Sequence, residues 1–178
     1  LLAWRCFPFR TWRSLPSSSH TTGYLIGIAR RAMRLEPMQE IQSGKVTVAA
    51  GLQGDHKGAK FPNRQITVLA IEAWREAARD AGEPDLTWTA RRANFLVEGV
   101  HLPRAAGGVL RIGEVLLEVT SQTVPCKRMD DALTGLRKAL HPDWRGGITC
   151  RVLEGGQVTL GDPVEVLVSP AQRVIRLP

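Results

Sequence analysis

The sequence predicts a mainly β fold, a barrel or sandwich with a few helices packed at its edges. Three observations lead there. From Tyr24 onward, short β-type segments are separated by Gly, Pro and Asn; only two stretches carry a helical period; and no internal repeat is visible. At 178 residues, 43% of them hydrophobic, the chain suffices for one well-buried core and is short for two. A single domain is expected over residues 23–170, preceded by an extension (1–22) and followed by a short tail (171–178).

Residues 1–22 contain Arg5, Arg10 and Arg13 with several serines and no acid. That is the composition of an organelle transit peptide or of a stretch outside the folded unit, and poor order is expected. "ITVLA" (66–70) is β-rich and runs into "IEAWREAARDAG", where Ile71, Trp74, Ala78 and Ala81 share one helical face and Gly82 supplies a stop. Over "RRANFLVEGV" (91–100), strand alternation places Arg92, Asn94 and Leu96 on one face, with Arg91, Ala93, Phe95 and Val97 on the other.

"GEVLLEVT" (113–120) alternates Val115, Leu117 and Val119 against Glu114, Leu116, Glu118 and Thr120, so it reads as a half-buried strand delivering the chain to Pro125 and Cys126. "MDDALTGLRKAL" (129–140) aligns Met129, Leu133, Leu136 and Leu140, with Asp130 and Asp131 in the first turn and Pro142 beyond the end, predicting one helix. Two or three strands close the chain around Gly155-Gly156 and Gly161-Asp162-Pro163. In the first of these Ile148, Cys150 and Val152 share a face, so Cys150 reads as a small core residue.

The formal charge is +7, of which +4 lies beyond the basic first segment. Such a balance favours anionic partners. No Lys/Arg run interleaved with aromatics and no nucleic-acid module is present, so a phosphate-bearing small molecule fits as well as a polynucleotide, and nucleic acid is not expected. No apolar run approaches the roughly 20 residues of a membrane span. A soluble, cytoplasmic protein without membrane contact is expected, or an organellar one if the first segment is a transit peptide. Three cysteines without C-x-x-C spacing suggest free thiols in a reducing compartment.

Among them Cys126, in "VPCKRMDD", has the most distinctive surroundings. Pro125 restricts the backbone before it, while Lys127, Arg128 and the start of the following helix all favour the thiolate. A thiolate serves as a nucleophile, a persulfide carrier or a soft metal ligand; the alternative is a buried structural thiol. In "GLQGDHKGAKFPNRQ" (51–65), Gly54 allows close backbone approach while Asp55, His56, Lys57, Lys60 and Arg64 gather polar groups, which suits a phosphate or a solvated turn. Arg92 and Asn94 would point together at one anionic ligand, or serve as a surface arginine and a backbone-bonded amide. The scattered histidines lack zinc spacing. A cysteine hydrolase would have to recruit His56 or His101 in space.

Taken in order, "GLQGDHKG", "RQITVL", "RRANFLVEGV", "LRIGEVLLEVTSQTVPCKRM" and "GGITCRVLEGGQVTLGDPVEV" resemble the MOSC domain family, named for the C-terminal part of molybdenum-cofactor sulfurases, over approximately residues 22–168. The resemblance implies a MOSC-type β-barrel and a pocket for the molybdenum cofactor, a pterin dithiolene with a terminal phosphate. Cys126 stands at the family's characteristic cysteine, which ligates molybdenum in some relatives and was proposed to carry sulfur in others. Arg92 and Asn94 match the Arg-Asn segment and would hold the pterin or phosphate. Gly54 and Asp55 match the glycine loop, but where many relatives continue Arg-His this chain has His56 and Lys57. With Arg64, Lys127 and Arg128 these complete the expected cofactor contacts. No pyridoxal-phosphate desulfurase fits in this length, so that cofactor would belong to a partner, and a reductase activity would need an external electron donor.

Overall fold

The structure, a computed structural model, describes residues 22–171. The expectation for the first segment therefore falls outside the described residues except at Thr22, as does the tail beyond Ala171. Seven strands close into a barrel: β1 (Gly23–Arg30), β5 (Ile66–Ala70), β6 (Phe95–Glu98), β7 (Val109–Ile112), β8 (Val115–Gln122), β9 (Ile148–Glu154) and β11 (Pro163–Val168). Their order is β11-β7-β8-β9-β5-β6-β1, and β1 returns to β11 through Gly23 opposite Val164 and Tyr24 opposite Pro163. β2 (Gln39–Ile41) extends β1. β3 (Ser43–Thr47), β4 (Gly51–Leu52) and β10 (Gly156–Thr159) form a separate small sheet in the order β10-β3-β4.

β5 and β6 run parallel, and a parallel neighbour requires a crossover. Helix α1 (Ile71–Asp80) begins that crossover. Its buried face is Trp74, Ala77 and Ala78, the i, i+3, i+4 spacing expected of a helix laid on a sheet, and the Trp74 indole N–H donates to the Leu86 carbonyl at 2.9 Å. Trp74 packs with Leu69, Leu96, Met129, Leu136 and Leu140, a layer between the helices and the outside of the barrel. The barrel interior is a second apolar cluster that includes Leu25, Ile66, Val68, Phe95, Leu117, Val119 and Cys150. Opposite faces of single strands thus serve different layers: Val68 faces in and Leu69 faces out.

Three expectations need correction. The strand expected from residue 113 begins at Val115 and runs to Gln122, with Gly113 at φ 53 in the preceding turn. The single helix expected over 129–140 is two, α2 (Arg128–Ala132) and α3 (Leu136–Ala139). Leu133 is extended and Gly135 takes φ 88, so the chain leaves the helical path between them, and the Asp130 carboxylate accepts from the Arg137 N–H at 3.1 Å. The apolar stripe survives the break, with Met129, Leu136 and Leu140 buried.

The strand expected over 91–97 is the third. Trp88–Arg91 form a 3-10 turn closed by the Arg92 N–H on the Thr89 carbonyl, Arg92 is left-handed at φ 62, and β6 starts only at Phe95. Asn94 is fully buried, its side chain accepting from the Thr67 N–H at 3.1 Å and donating to the Ala29 carbonyl at 3.3 Å. One amide thus ties β1 to β5 at the mouth of β6. Arg92 and Asn94 do not project together from a strand.

Asn94→Ala strands two buried backbone groups, and a loss of about 1–3 kcal/mol is expected in urea unfolding. A change within about 0.5 kcal/mol would show that this amide is not holding the strands.

Candidate functional site

β8 ends on the outside of the barrel, and the next few residues carry the thiol. The Thr123 N–H donates to the Gly147 carbonyl at 2.9 Å, Pro125 is buried, and Cys126 is exposed. The Cys126 carbonyl accepts from the Met129 N–H at 2.9 Å as the chain turns into α2. That helix has five residues, so its contribution to the charge at the sulfur is slight. Cys150 lies at 0% exposure inside the barrel, and burial pushes its thiol well above the usual range.

Cations converge on the same rim. Arg31, Lys57, Arg64, Arg91, Arg92 and Arg128 interact electrostatically with one another or with Asp55, and Arg91 and Arg92 also with Cys126. Asp55 organises part of this group: its carboxylate accepts from the Arg31 N–H at 3.2 Å and the Lys57 N–H at 3.1 Å, joining the segment after β1 to the glycine loop. Gly54, at φ 84, lies against Arg30, whose guanidinium donates to the Gln53 carbonyl at 2.8 Å.

The arginines are held largely by neutral carbonyls. Arg92 donates to the carbonyls of Arg34 and Glu36, both at 2.9 Å, and Arg91 to those of Gly146 and Thr123, both at 2.8 Å. The ion pairs among the described residues lie elsewhere, joining Arg104 to Asp143, Arg111 to Glu154, Arg145 to Glu76 and Asp80, and Arg151 to Glu118. Asp55 apart, the site cations are therefore not neutralised by carboxylates among the described residues. Two of their atoms, Nε of Arg31 and Nε of Arg92, are buried without a partner. Burial lowers the proton affinity of both guanidinium groups, and Arg128 lowers it further.

Lys57 is partly buried, its ammonium donating to Thr67 Oγ1 at 3.1 Å. Burial, and then the charges of Arg31, Arg64 and Arg91, push it down to about 8 against the pull of Asp55. Thr67 stands opposite Thr149 on β9, and Thr149 Oγ1 lies 3.2 Å from Ser121 Oγ and 3.4 Å from Thr123 Oγ1. This row of hydroxyls crosses three strands from Lys57 to the foot of the Cys126 loop. It supplies donors and acceptors where apolar packing stops.

Of the residues expected from sequence, Cys126, Asp55, Lys57, Arg64, Arg92 and Arg128 share this electrostatic neighbourhood. Lys127 caps the start of α2 and is exposed, and His56 meets the site through its backbone N–H on the Arg31 carbonyl at 2.8 Å. Asn94 supports from beneath. Among the described residues no hydrogen bond joins Cys126 to a histidine, and His101 lines a separate open cavity of about 930 Å³ with Glu72, Arg104 and Trp144. A smaller hollow of about 350 Å³ flanks the site itself, bounded by Arg92, Arg128, Met38 and Thr89. Sequence reasoning missed Arg31 and Arg91. The second carried a signal: strand parity set Arg91 with Ala93, Phe95 and Val97, and an arginine in an apolar register needs buried partners.

Comparison with solved structures finds the same fold in YuaD from Bacillus subtilis, at 20% identity and a TM-score of 0.71 over 83% of this chain and 97% of that one. YiiM from Geobacillus stearothermophilus matches at 18% identity and 0.65 over 82% and 75%, and YiiM from Escherichia coli at 18% and 0.63 over 84% and 72%. No curated protein sequence matches. The family model described as MOSC domain matches residues 53–165, which contain Asp55, the arginine pair and Cys126. A barrel of this topology and a family match over more than half its length show that the chain belongs to the MOSC domain family.

Proposed function

We propose that the site holds a molybdenum cofactor, with Cys126 as the protein's ligand to the metal and the surrounding cations on the anionic pterin. The loaded protein would reduce N-hydroxylated or similarly oxygenated substrates, with electrons from an external donor. The observation that carries this reading is an exposed thiol in the electrostatic reach of Arg92, whose buried Nε, like that of neighbouring Arg31, lacks a partner. A buried, unpartnered donor is costly, and an oxyanion accepting from it removes that cost. The donor set fits the group: one soft sulfur for the metal, and arginines for phosphate. Among the described residues no three His, Cys, Asp or Glu side chains gather as a metal site, so the chain offers a single sulfur rather than a cage.

When bound, the cofactor supplies the redox-active metal. The chain's own residues hold and orient it. Cys126 presents its sulfur from a loop anchored to Gly147, and Arg31 and Arg92 have Nε donors free for an anion. Lys57 adds a further charge, with its ammonium steadied by Thr67 Oγ1. The hydroxyls of Ser121, Thr123 and Thr149 offer further hydrogen bonds along the floor.

A second reading, a sulfur carrier, is favoured by the contrast between exposed Cys126 and sealed Cys150. The Cys126 thiolate would attack the outer sulfur of a persulfide on a pyridoxal-phosphate-dependent cysteine desulfurase. A new S–S bond forms, the donor's S–S bond breaks, and the donor leaves as a thiolate. Incubation with a desulfurase and cysteine is expected to add one sulfur, located at Cys126 by peptide mass and lost in Cys126→Ser. Addition at Cys150 instead would remove this reading.

Anaerobic purification from a cofactor-competent host tests the first reading: molybdenum and pterin are expected in about equal amounts, with the metal lost in Cys126→Ser. Folded protein carrying neither would overturn it. A further outcome follows from Lys57. Between pH 8 and 10.5 the unfolded chain keeps a proton there that the folded chain has released, so stability rises with pH across that window. Chemical denaturation in pH steps should give that rising slope, and Lys57→Met should flatten it. An identical slope in both proteins would mean that Lys57 keeps its ordinary proton in the fold.

A further inference from the structure

Arg91 ends the 3-10 turn before β6 and is only 5% exposed. A guanidinium at that depth must place its donors, and it does so on three separate segments. Nε donates to the Gly146 carbonyl at 2.8 Å, one terminal nitrogen to the Thr123 carbonyl at 2.8 Å, and the other reaches Met129 Sδ at 3.7 Å. Thr123 lies three residues before Cys126 and Met129 three after it. One side chain therefore grips both ends of the loop that presents the thiol. Gly146 is part of the same grip, because a Cβ there would sit 2.7 Å from the Thr123 carbonyl oxygen and 3.0 Å from the Arg91 guanidinium.

The charge of Arg91 has no carboxylate counterpart. Among the described residues no ion pair includes it, and its donors go to main-chain carbonyls and a thioether. We propose that Arg91 is the positioning residue of the site, fixing the loop on both sides of Cys126 so that its sulfur is presented from one place on the rim. Burial lowers the guanidinium to about 10 and Cys126 opposes that fall, so Arg91 is charged at neutral pH. Arg91 touches neither substrate nor metal in this role. It acts through the cysteine, and so serves either reading of the site: the inference rests on Cys126 being the working group.

The test uses the full chain without cofactor. Hydrogen exchange is followed by peptide mass, with thermal unfolding recorded on the same samples, for the wild type, Arg91→Met and Arg91→Lys. In Arg91→Met, amide exchange across residues 123–129 should speed up by about tenfold or more while exchange in β7 and β11 keeps the wild-type rate. Arg91→Lys, which restores a charge but not the three-way grip, should leave amide exchange across residues 123–129 fast, separating the grip from the charge. A folded Arg91→Met whose amide exchange across residues 123–129 matches the wild type overturns the proposal, whatever its melting temperature. Should Arg91→Met not fold, Arg91→Lys decides: faster exchange across 123–129 supports the proposal and unchanged exchange overturns it. Loss of cofactor binding with unchanged exchange across residues 123–129 would leave the metal-ligand reading standing and this one refuted.

Discussion

Like charges crowded on one rim of a barrel repel one another, and the local architecture answers that repulsion in a particular way. Carboxylates are not brought in to cancel the arginines. Backbone carbonyls of Gln53, Arg34, Glu36, Gly146 and Thr123 accept from Arg30, Arg92 and Arg91, which orients the guanidinium groups without neutralising them. Asp55 is the exception, and even its oxygens are directed at the main chain of Arg31 and Lys57. A neutral acceptor fixes geometry at lower cost to the field, so the positive potential is preserved for a guest.

Barrel closure makes this arrangement possible. Because β1 pairs with β6, β2 and β11, the chain leaves it next to the glycine loop, and β8 delivers Cys126 to the same outer surface. The three segments that converge there are distant in sequence. They are bound together by contacts that cross the fold, such as Thr120 Oγ1 on the Asn63 carbonyl at 2.5 Å and Asn94 between β1 and β5.

Much of the fold was legible because its signals were local. Val115, Leu117 and Val119 alternate as a half-buried strand must, Trp74 and Ala78 mark the helix face, and Cys150 falls in an inward register. The resemblance placed Cys126 and the Arg-Asn segment. What stayed hidden depends on distant partners. Nothing near Arg92 announces a left-handed residue, since the bonds that favour it lead to Arg34 and Glu36. The break between α2 and α3 was foreshadowed by Gly135, which a continuous apolar stripe outweighed. Arg91 was visible as an anomaly, but its partners at Gly146 and Thr123 lie 55 and 32 residues away.

The placement of Cys150 bears on oxidation chemistry. Its side chain points into the barrel, while Cys126 stands outside, so a wall of paired strands separates the two sulfurs. Among the described residues Cys126 therefore has no neighbouring thiol to resolve a sulfenic acid as an internal disulfide. Recovery from peroxide would rely on small thiols or reductases arriving from solution, and the same isolation protects any sulfur-bound state from being short-circuited within the molecule.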